Sequence, residues 1–424
     1  MKASKYNIIT ELNQNSFLIF NSMSNAMIEV ESKYIIKDSG MLNLDIITPE
    51  EEKILLKNGI LVKKSIDEAK VLKFHNELQK YHSSTLEVVI VPTTACNAKC
   101  DYCFQSLNNV YMSKEIADKA ISYIENRIKN DKNLKELQLV WFGGEPLLNN
   151  SLEIMLHIQN SLLEIAKNND INYIGLLTTN GSLISQEIID KLMINGVQIT
   201  LDGAKDYHNQ VKKIDIFDKV VNNIKLLIEK KAHISIRVNI NSKNINEFYK
   251  VVDTLKEKGY SDKIFVYSAR IEDFNENVKE NDFLDIEAYS EIEREYLTYL
   301  SQSGFQTALP KAIAVHCGAQ KYNQIVINPD GSIHKCWMEH DFVFDSLVDP
   351  NKKNMEHYYN YLTYDSFSDE ECLECKIFPI CLGGCPHVRV TGEKKCISMK
   401  YNIDKWALTW YKNKKSKEYG KSIV

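Results

Sequence analysis

The sequence predicts an α/β fold built from parallel βαβ units, with a small module before them and a cysteine-rich region after them. Three observations carry this expectation. Between residues 86 and 268, six apolar strand-like runs alternate with helical runs. The ten cysteines fall into two groups, three at 96–103 and seven at 317–396, with none between. Residues 1 to about 85 carry short strand and helix signals of their own.

A chain of 424 residues is too long for one compact core and implies two or three domains. Hydrophobic content of 44% and charged content of 26% are ordinary for globular proteins. The net charge of −5 gives no reason to expect nucleic-acid binding. The N-terminus Met1-Lys2-Ala3-Ser4-Lys5 opens no apolar signal region, and no stretch approaches the roughly 18 apolar residues of a membrane span. The expectation is a cytoplasmic protein with no membrane partner. Clustered cysteines in that compartment point to metal rather than disulfides.

Taken in order, 6–11, 16–20 and 26–30 read as strands. Thr48-Pro49-Glu50-Glu51-Glu52 then opens a helix, with a capping Thr, Pro at the first position and acids in the first turn. That helix ends near Asn58-Gly59; 60–62 reads as a strand and 66–80 as a second helix. This order suits a winged-helix-like module over 1–85. In the next unit, 86–91, 137–142, 173–178, 197–201, 234–240 and 264–267 are the strands. Helices over 114–129, 151–167, 185–194, 216–230 and 244–258 complete the alternation. Right-handed crossovers curl such a series into a barrel, closed or partial, whose active site gathers at the C-terminal ends of the strands. Residues 270–310 read as an acidic linker, irregular through Asn275-Glu276-Asn277, with a helix over 285–300. The barrel and linker thus cover 86–309 and the cysteine-rich region 310–424.

The first barrel strand runs straight into Pro92-Thr93-Thr94-Ala95-Cys96-Asn97-Ala98-Lys99-Cys100-Asp101-Tyr102-Cys103-Phe104. Three thiolates this close can hold three irons of a cubane and leave the fourth iron open to a ligand. A zinc knuckle is the alternative, but the flanking histidines, His82 and His157, are too far off to close a local tetrahedral site. The Cys-x3-Cys-x2-Cys loop, with Tyr102 before its third cysteine, resembles the radical S-adenosylmethionine (radical SAM) superfamily. That resemblance implies a partial (β/α)6 TIM-like barrel. It also implies a [4Fe–4S] cluster on Cys96, Cys100 and Cys103 whose open iron chelates SAM and cleaves it to a 5′-deoxyadenosyl radical.

Other strand ends fit the same family. Gly143-Gly144-Glu145-Pro146 follows the second strand; two glycines permit close backbone approach, and a carboxylate can accept from an ammonium. It resembles the family's Gly-Gly-Glu-Pro motif, which holds the SAM amino group. Thr178-Thr179-Asn180-Gly181 and Thr200-Leu201-Asp202-Gly203 end the third and fourth strands; read plainly they are strand-terminating turns. By resemblance Asn180 and Thr200 lie near the SAM ribose and carboxylate. On the fifth strand Ser235, Arg237 and Asn239 alternate with apolar residues, so Arg237 points into the barrel. A buried guanidinium there needs an anion, either the SAM carboxylate or an internal carboxylate.

The seven later cysteines run Cys317-x13-Gly331-x4-Cys336, then Cys372-x2-Cys375-x5-Cys381-x3-Cys385, then Cys396. A zinc ribbon would suit four thiolates too. With Phe378-Pro379-Ile380-Cys381-Leu382-Gly383-Gly384-Cys385-Pro386, however, the pattern resembles the SPASM extension of radical SAM proteins. That implies two auxiliary [4Fe–4S] clusters, three in all: Cys372, Cys375, Cys381 and Cys396 on the distal one, and Cys317, Cys336 and Cys385 on the nearer. The nearer lacks a fourth cysteine, so His316 or Glu339 completes it, or its iron stays open to a substrate thiolate.

Together these resemblances imply a peptide maturase that forms a thioether or other cross-link in a ribosomally made peptide. The implied partners are a Cys-containing peptide with a leader, recognised by the N-terminal module, and a flavodoxin- or ferredoxin-type reductant. Maturation of a peptide-derived cofactor is a variant of this. The alternative is an anaerobic sulfatase-maturing enzyme, but those resemble one another in an aspartate base after the Gly-x4-Cys cysteine, where this chain has Trp337. A non-catalytic Fe–S electron carrier is the third reading. The general base is not identified among many Tyr and Glu candidates.

Overall fold

The computed structural model describes residues 1–105, 108–272, 282–307, 309–338 and 342–419. The expected irregular stretch at Asn275-Glu276-Asn277 and the candidate ligand Glu339 lie outside the described residues.

The chain opens with β1 (Lys2–Ala3), then β2 (Asn7–Asn13), β3 (Ser16–Asn21) and β4 (Met27–Glu31), an antiparallel meander in the order β2-β3-β4. A short hairpin of β5 (Ile35–Ile36) and β6 (Met41–Leu42) follows. Helix α1 (Pro49–Lys57) starts as the sequence predicts, with a capping box in which Thr48 and Glu51 each bond the other's backbone N–H. After it, β7 (Leu61–Val62) pairs back onto β1. Helix α2 (Glu68–Tyr81) is capped by Asp67. The apolar faces of this module rest on the cysteine-rich region: Ile8, Leu18 and Phe20 pack with Ile377, Ile380 and Trp406, and Tyr6 and Leu72 with Cys372 and Phe378. Polar ties add to this, as Asn76 donates to the Ala314 carbonyl (2.6 Å) and Lys80 to the Tyr364 carbonyl (2.9 Å).

The central sheet starts with β8 (Thr85–Ile90), followed by α3 (Lys114–Asn130), β9 (Glu136–Trp141), α4 (Asn149–Asn168), β10 (Asn172–Thr179) and α5 (Gln186–Lys191). It continues with β11 (Gly196–Thr200), α6 (Lys205–Lys212), α7 (Phe217–Glu229), β12 (His233–Ile240), α8 (Glu247–Glu257) and β13 (Phe265–Arg270). These six strands lie parallel in sequence order, each beside its successor. Leu137, Leu139, Trp141, Ile199, Ile236 and Val238 face the helices in one continuous core. The predicted elements are thus present; α6 is the addition, and its polar sequence explains why periodicity did not reveal it.

Helix α9 (Ile286–Gln302) then packs across β13. In the cysteine-rich region, β14 (Gln324–Ile327) joins the far side of β8 as a seventh parallel strand. Antiparallel β15 (Ser332–His334) and β16 (Asp345–Ser346) extend the sheet to nine strands. All four residues of β14 are buried, and a strand covered on both faces shows no alternation to read. Helices α10 (Met355–Thr363), α11 (Glu370–Glu374), α12 (Phe378–Cys381), α13 (Pro386–Val390) and α14 (Ile403–Tyr419) complete the chain.

One half-buried acid marks the seam between sheet and C-terminus. Glu293 of α9 lines a cavity of about 180 Å³ with Tyr267, Leu297, Met399 and Trp406, and accepts from the Ser398 hydroxyl at 2.5 Å. Burial pushes its pKa up to about 7, against the ordinary 4.5. The folded state therefore holds a proton that the unfolded chain has lost between these values, so stability falls as pH rises from about 4.5 to about 7. The expected loss is about 3 kcal/mol; denaturant unfolding across that range should show it, and Glu293→Gln should flatten it.

Candidate active site

Because the strands run parallel, the loops after β8, β9, β10, β11 and β12 all emerge at one end. The loop after β8 makes a closed excursion. At its base Met112 donates to the Pro92 carbonyl (2.9 Å) and Thr94 to the Val110 carbonyl (3.0 Å), with a bridge between Thr93 and Tyr111. Cys96, Cys100 and Cys103 are half-buried within it. Burial pushes the Cys96 thiol up to about 11 and raises Cys100 and Cys103 as well, so a metal bound there would have to displace their protons. No disulfide joins any of the ten cysteines.

The Gly143-Gly144 pair clamps this loop. Gly144 N–H donates to the Thr93 carbonyl (3.2 Å) and Glu145 N–H to the Ala95 carbonyl (2.8 Å). A Cβ on Gly144 would lie 2.1 Å from the Ala95 oxygen, and Gly143 has φ +138°. The close approach expected of these glycines is therefore made to the cysteine loop itself. Glu145 also differs from the expectation of a carboxylate waiting for an ammonium. It is fully buried and accepts from the Thr179 hydroxyl (2.8 and 2.9 Å to its two oxygens), Asn180 N–H (2.8 Å) and Leu147 N–H (3.1 Å). Its side chain ties the ends of β9 and β10 together. Asn180 in turn donates to Asn97 (2.7 Å), next to Cys96, and Asn97 donates to Ser182 (3.0 Å).

A buried cluster that strand-end reasoning missed sits on the other side of the loop. Tyr102 OH donates to Asp202 (2.5 Å), Lys212 Nζ donates to Tyr102 OH (2.7 Å), and Lys212 pairs with Asp202 at 2.9 Å. Burial opposes both charges, but their attraction wins. Asp202 is held below the usual carboxylate range and Lys212 above the usual ammonium range. The other Asp202 oxygen accepts from Asn239 Nδ2 (3.1 Å) and its backbone N–H (3.2 Å). Burial pushes His208 down to about 4, so it is neutral, and its Nδ1 accepts from Asp202 N–H. Lys212 also touches the Cys100 thiol, whose ionisation it favours. One signal was available: His208 and Lys212 stand four apart and so share a face of α6.

Arg237 lies on the polar face of β12, as the alternation predicts. Its Nε donates to Asn239 (2.8 Å), and its guanidinium also reaches Tyr267, whose OH donates to Gln198 (2.6 Å). These partners are neutral. Thr200 pairs in register with Arg237 across β11 and β12. A cavity of about 400 Å³ opens beside the cluster, lined by Tyr102, Asp202, Tyr207, Asn239 and Asn241 among others.

Trp337 packs on Phe142 (centroids 5.1 Å apart), which stacks on Phe104 (6.4 Å). An aromatic bridge thus joins the cysteine loop to the residue after Cys336. Cys372, Cys375, Cys381 and Cys396 line one small cavity. Cys336 packs with Ala319, Tyr361 and Cys317, and Cys385 is close enough to disfavour ionisation of Cys317. His316 Nδ1 lies 2.8 Å from the Cys381 carbonyl, to which it donates.

Residues 90–255 match the radical SAM superfamily. The chain carries a radical SAM domain. Such a domain works with SAM and a [4Fe–4S] cluster, and the chain is an enzyme of this kind. It is similar to a cysteine-type anaerobic sulfatase-maturating enzyme of Clostridium perfringens, 25% identical over 74% of this chain and 93% of that protein. It is equally similar to the radical SAM cyclopropyl synthase TigE of Paramaledivibacter caminithermalis, 25% identical over 96% of this chain and 93% of that one. Among solved structures, native anSMEcpe with bound AdoMet and Cp18Cys peptide superposes with a TM-score of 0.56 at 21% identity, over 80% of this chain and all of that one. Streptococcus suis SuiB bound to precursor peptide SuiA gives 0.53 at 16% identity, over 94% and 98%. At these identities the two structures speak to the fold.

Two outcomes follow from the geometry. Asp202→Asn leaves the Lys212 ammonium buried without its counter-charge and should cost about 3–5 kcal/mol in urea unfolding at neutral pH. Gly144→Ala forces a methyl into the Ala95 carbonyl and should lower stability by about 1–3 kcal/mol, with reduced iron uptake in an anaerobic reconstitution assay.

Proposed function

We propose that this enzyme is a peptide maturase that installs a thioether or other cross-link in a ribosomally synthesised peptide. When bound, SAM and the cluster supply a 5′-deoxyadenosyl radical that abstracts a substrate hydrogen. Cys96, Cys100 and Cys103 would hold that cluster, with the Lys212 cation offsetting thiolate charge at Cys100. Gly143, Gly144 and Glu145 keep the loop in place, and Glu145 acts through Thr179 and Asn180 rather than by a direct contact. Arg237, whose partners are neutral, has charge to spare for the SAM carboxylate, with Thr200 beside it. Asn180, through Asn97, and Asp202, through Tyr102, hold the loop on its two sides.

The four cysteines Cys372, Cys375, Cys381 and Cys396 and the trio Cys317, Cys336 and Cys385 would hold two auxiliary [4Fe–4S] clusters. Forming a cross-link removes two electrons and two protons from the peptide: one of each leaves as the abstracted hydrogen atom, and an auxiliary cluster would take the second electron as the second proton is lost to a base. The N-terminal module, docked on that region, would receive a leader segment. Two structures of similar fold, one with the Cp18Cys peptide and one with precursor peptide SuiA, support a peptide substrate.

The observation that carries the choice is Trp337. The sulfatase-maturing relatives are as similar in sequence, but their resemblance places an acid base after the Gly-x4-Cys cysteine. Here an indole that packs on Phe142 at the mouth of β9 fills that position and can take no proton. Anaerobic reconstitution should yield about twelve irons per chain, as three cubanes require. With a flavodoxin- or ferredoxin-type reductant, deoxyadenosine formation should rise on adding short Cys-containing precursor peptides. The peptide product should be lighter by two hydrogen atoms. Turnover of sulfatase-derived Cys or Ser peptides to formylglycine instead would establish the alternative. Bound zinc without SAM cleavage would overturn both.

A further inference from the structure

The three cysteine groups differ in what surrounds their sulfur atoms. At the four-cysteine cavity, two cations donate directly to sulfur: Arg389 Nη2 to Cys372 Sγ at 3.5 Å and Lys400 Nζ to Cys396 Sγ at 3.4 Å. Neither cation is loosely placed. Arg389 is held from behind by Nε to the Gly383 carbonyl (2.7 Å) and by Nη1 to Asp369 (3.1 Å). Lys400 bonds Glu371 at 2.6 Å. A third cation, Lys394, bonds Glu371 (2.6 Å) and Asp369 (3.1 Å). Arg389, Lys394 and Lys400 thus face two carboxylates, Asp369 and Glu371, leaving a net positive charge around the cavity. By contrast, the buried ammonium beside the trio, Lys335, spends its donors on the backbone carbonyls of Lys321 and Gln324, both at 2.5 Å.

Backbone geometry makes this arrangement specific. Leu382, Gly383 and Gly384 all have positive φ, which turns the chain sharply between Cys381 and Cys385. A Cβ on Gly383 would lie 2.6 Å from Ser366 Cβ, so the carbonyl that anchors Arg389 depends on glycine. The same turn starts α13, which carries Arg389 back over Cys372.

Hydrogen bonds to cluster sulfurs and nearby positive charge both stabilise the reduced, more negative state of an iron–sulfur centre. We infer that Arg389 and Lys400 are tuning residues that hold a cluster on Cys372, Cys375, Cys381 and Cys396 at a raised reduction potential, making it the electron-accepting end of the chain of clusters. This rests on the auxiliary-cluster reading above, and concerns which of those clusters is the more oxidising.

The test is a redox titration of the anaerobically reconstituted full-length holoenzyme, followed by electron paramagnetic resonance, beside an iron count. Lys400→Gln should move one cluster signal to a more negative midpoint potential and leave the others in place, with iron content unchanged. Arg389→Gln should move the same signal in the same direction, Lys400→Arg should restore the original potential, and Lys394→Gln should shift it less, since that ammonium bonds carboxylates. Unchanged potentials in both glutamine variants at full iron would overturn the tuning role while leaving the clusters intact. If Arg389→Gln fails to fold, the Lys400 pair decides alone. A wild-type protein that takes up no more than about eight irons would instead overturn the three-cluster reading, and the inference with it.

Discussion

The buried pairing of Lys212 with Asp202 is the interaction on which the active end of the barrel depends. Two full charges, with side chains only 3% and 1% exposed, stay ionised because they lie 2.9 Å apart and their remaining valences are filled by Tyr102, Asn239 and the backbone. Such a pair contributes little net stability compared with apolar packing, but it tolerates very few geometries. Through Tyr102 it orients the cysteine loop, through Asn239 it reaches the end of β12, and through the α6 backbone Lys212 accepts from Lys99 N–H between two of the cysteines. The loop is thus keyed to three elements distant in sequence.

On the opposite side the same loop is held by backbone contact and not by charge. The glycine pair after β9 admits the Thr93 and Ala95 carbonyls where any side chain would collide. Glu145 then anchors that turn to β10 through its carboxylate. A site clamped from both sides by the protein's own contacts suits a radical reaction in which a loose cluster would admit water or misplace the reacting atoms.

The cysteine-rich region is structurally continuous with this machinery. Its β14 pairs with β8, the strand that launches the radical-site loop, so the sheet itself connects the two cysteine groups. Trp337 and Phe142 make a second, aromatic connection at the mouth of the barrel. The N-terminal module packs against the four-cysteine cavity from outside, with Tyr6 and Leu72 near Cys372. Substrate recognition, electron handling and radical formation would then share one packed body.

The six consecutive βαβ strands and the inward aim of Arg237 were legible because periodicity reports on local burial, and the cysteine spacings because metal ligation needs fixed local geometry. The helix start at Thr48 was legible for the same local reason. By itself, then, the sequence determined the parallel barrel core, the ten thiols and their grouping. Only the tertiary structure decided that β14 completes the sheet beside β8, that Glu145 ties the end of β9 to Thr179 and Asn180 at the end of β10, and that Asp202 meets Lys212. Each of these depends on partners brought together from separate segments, and pairing across such distances leaves no period in the chain to read.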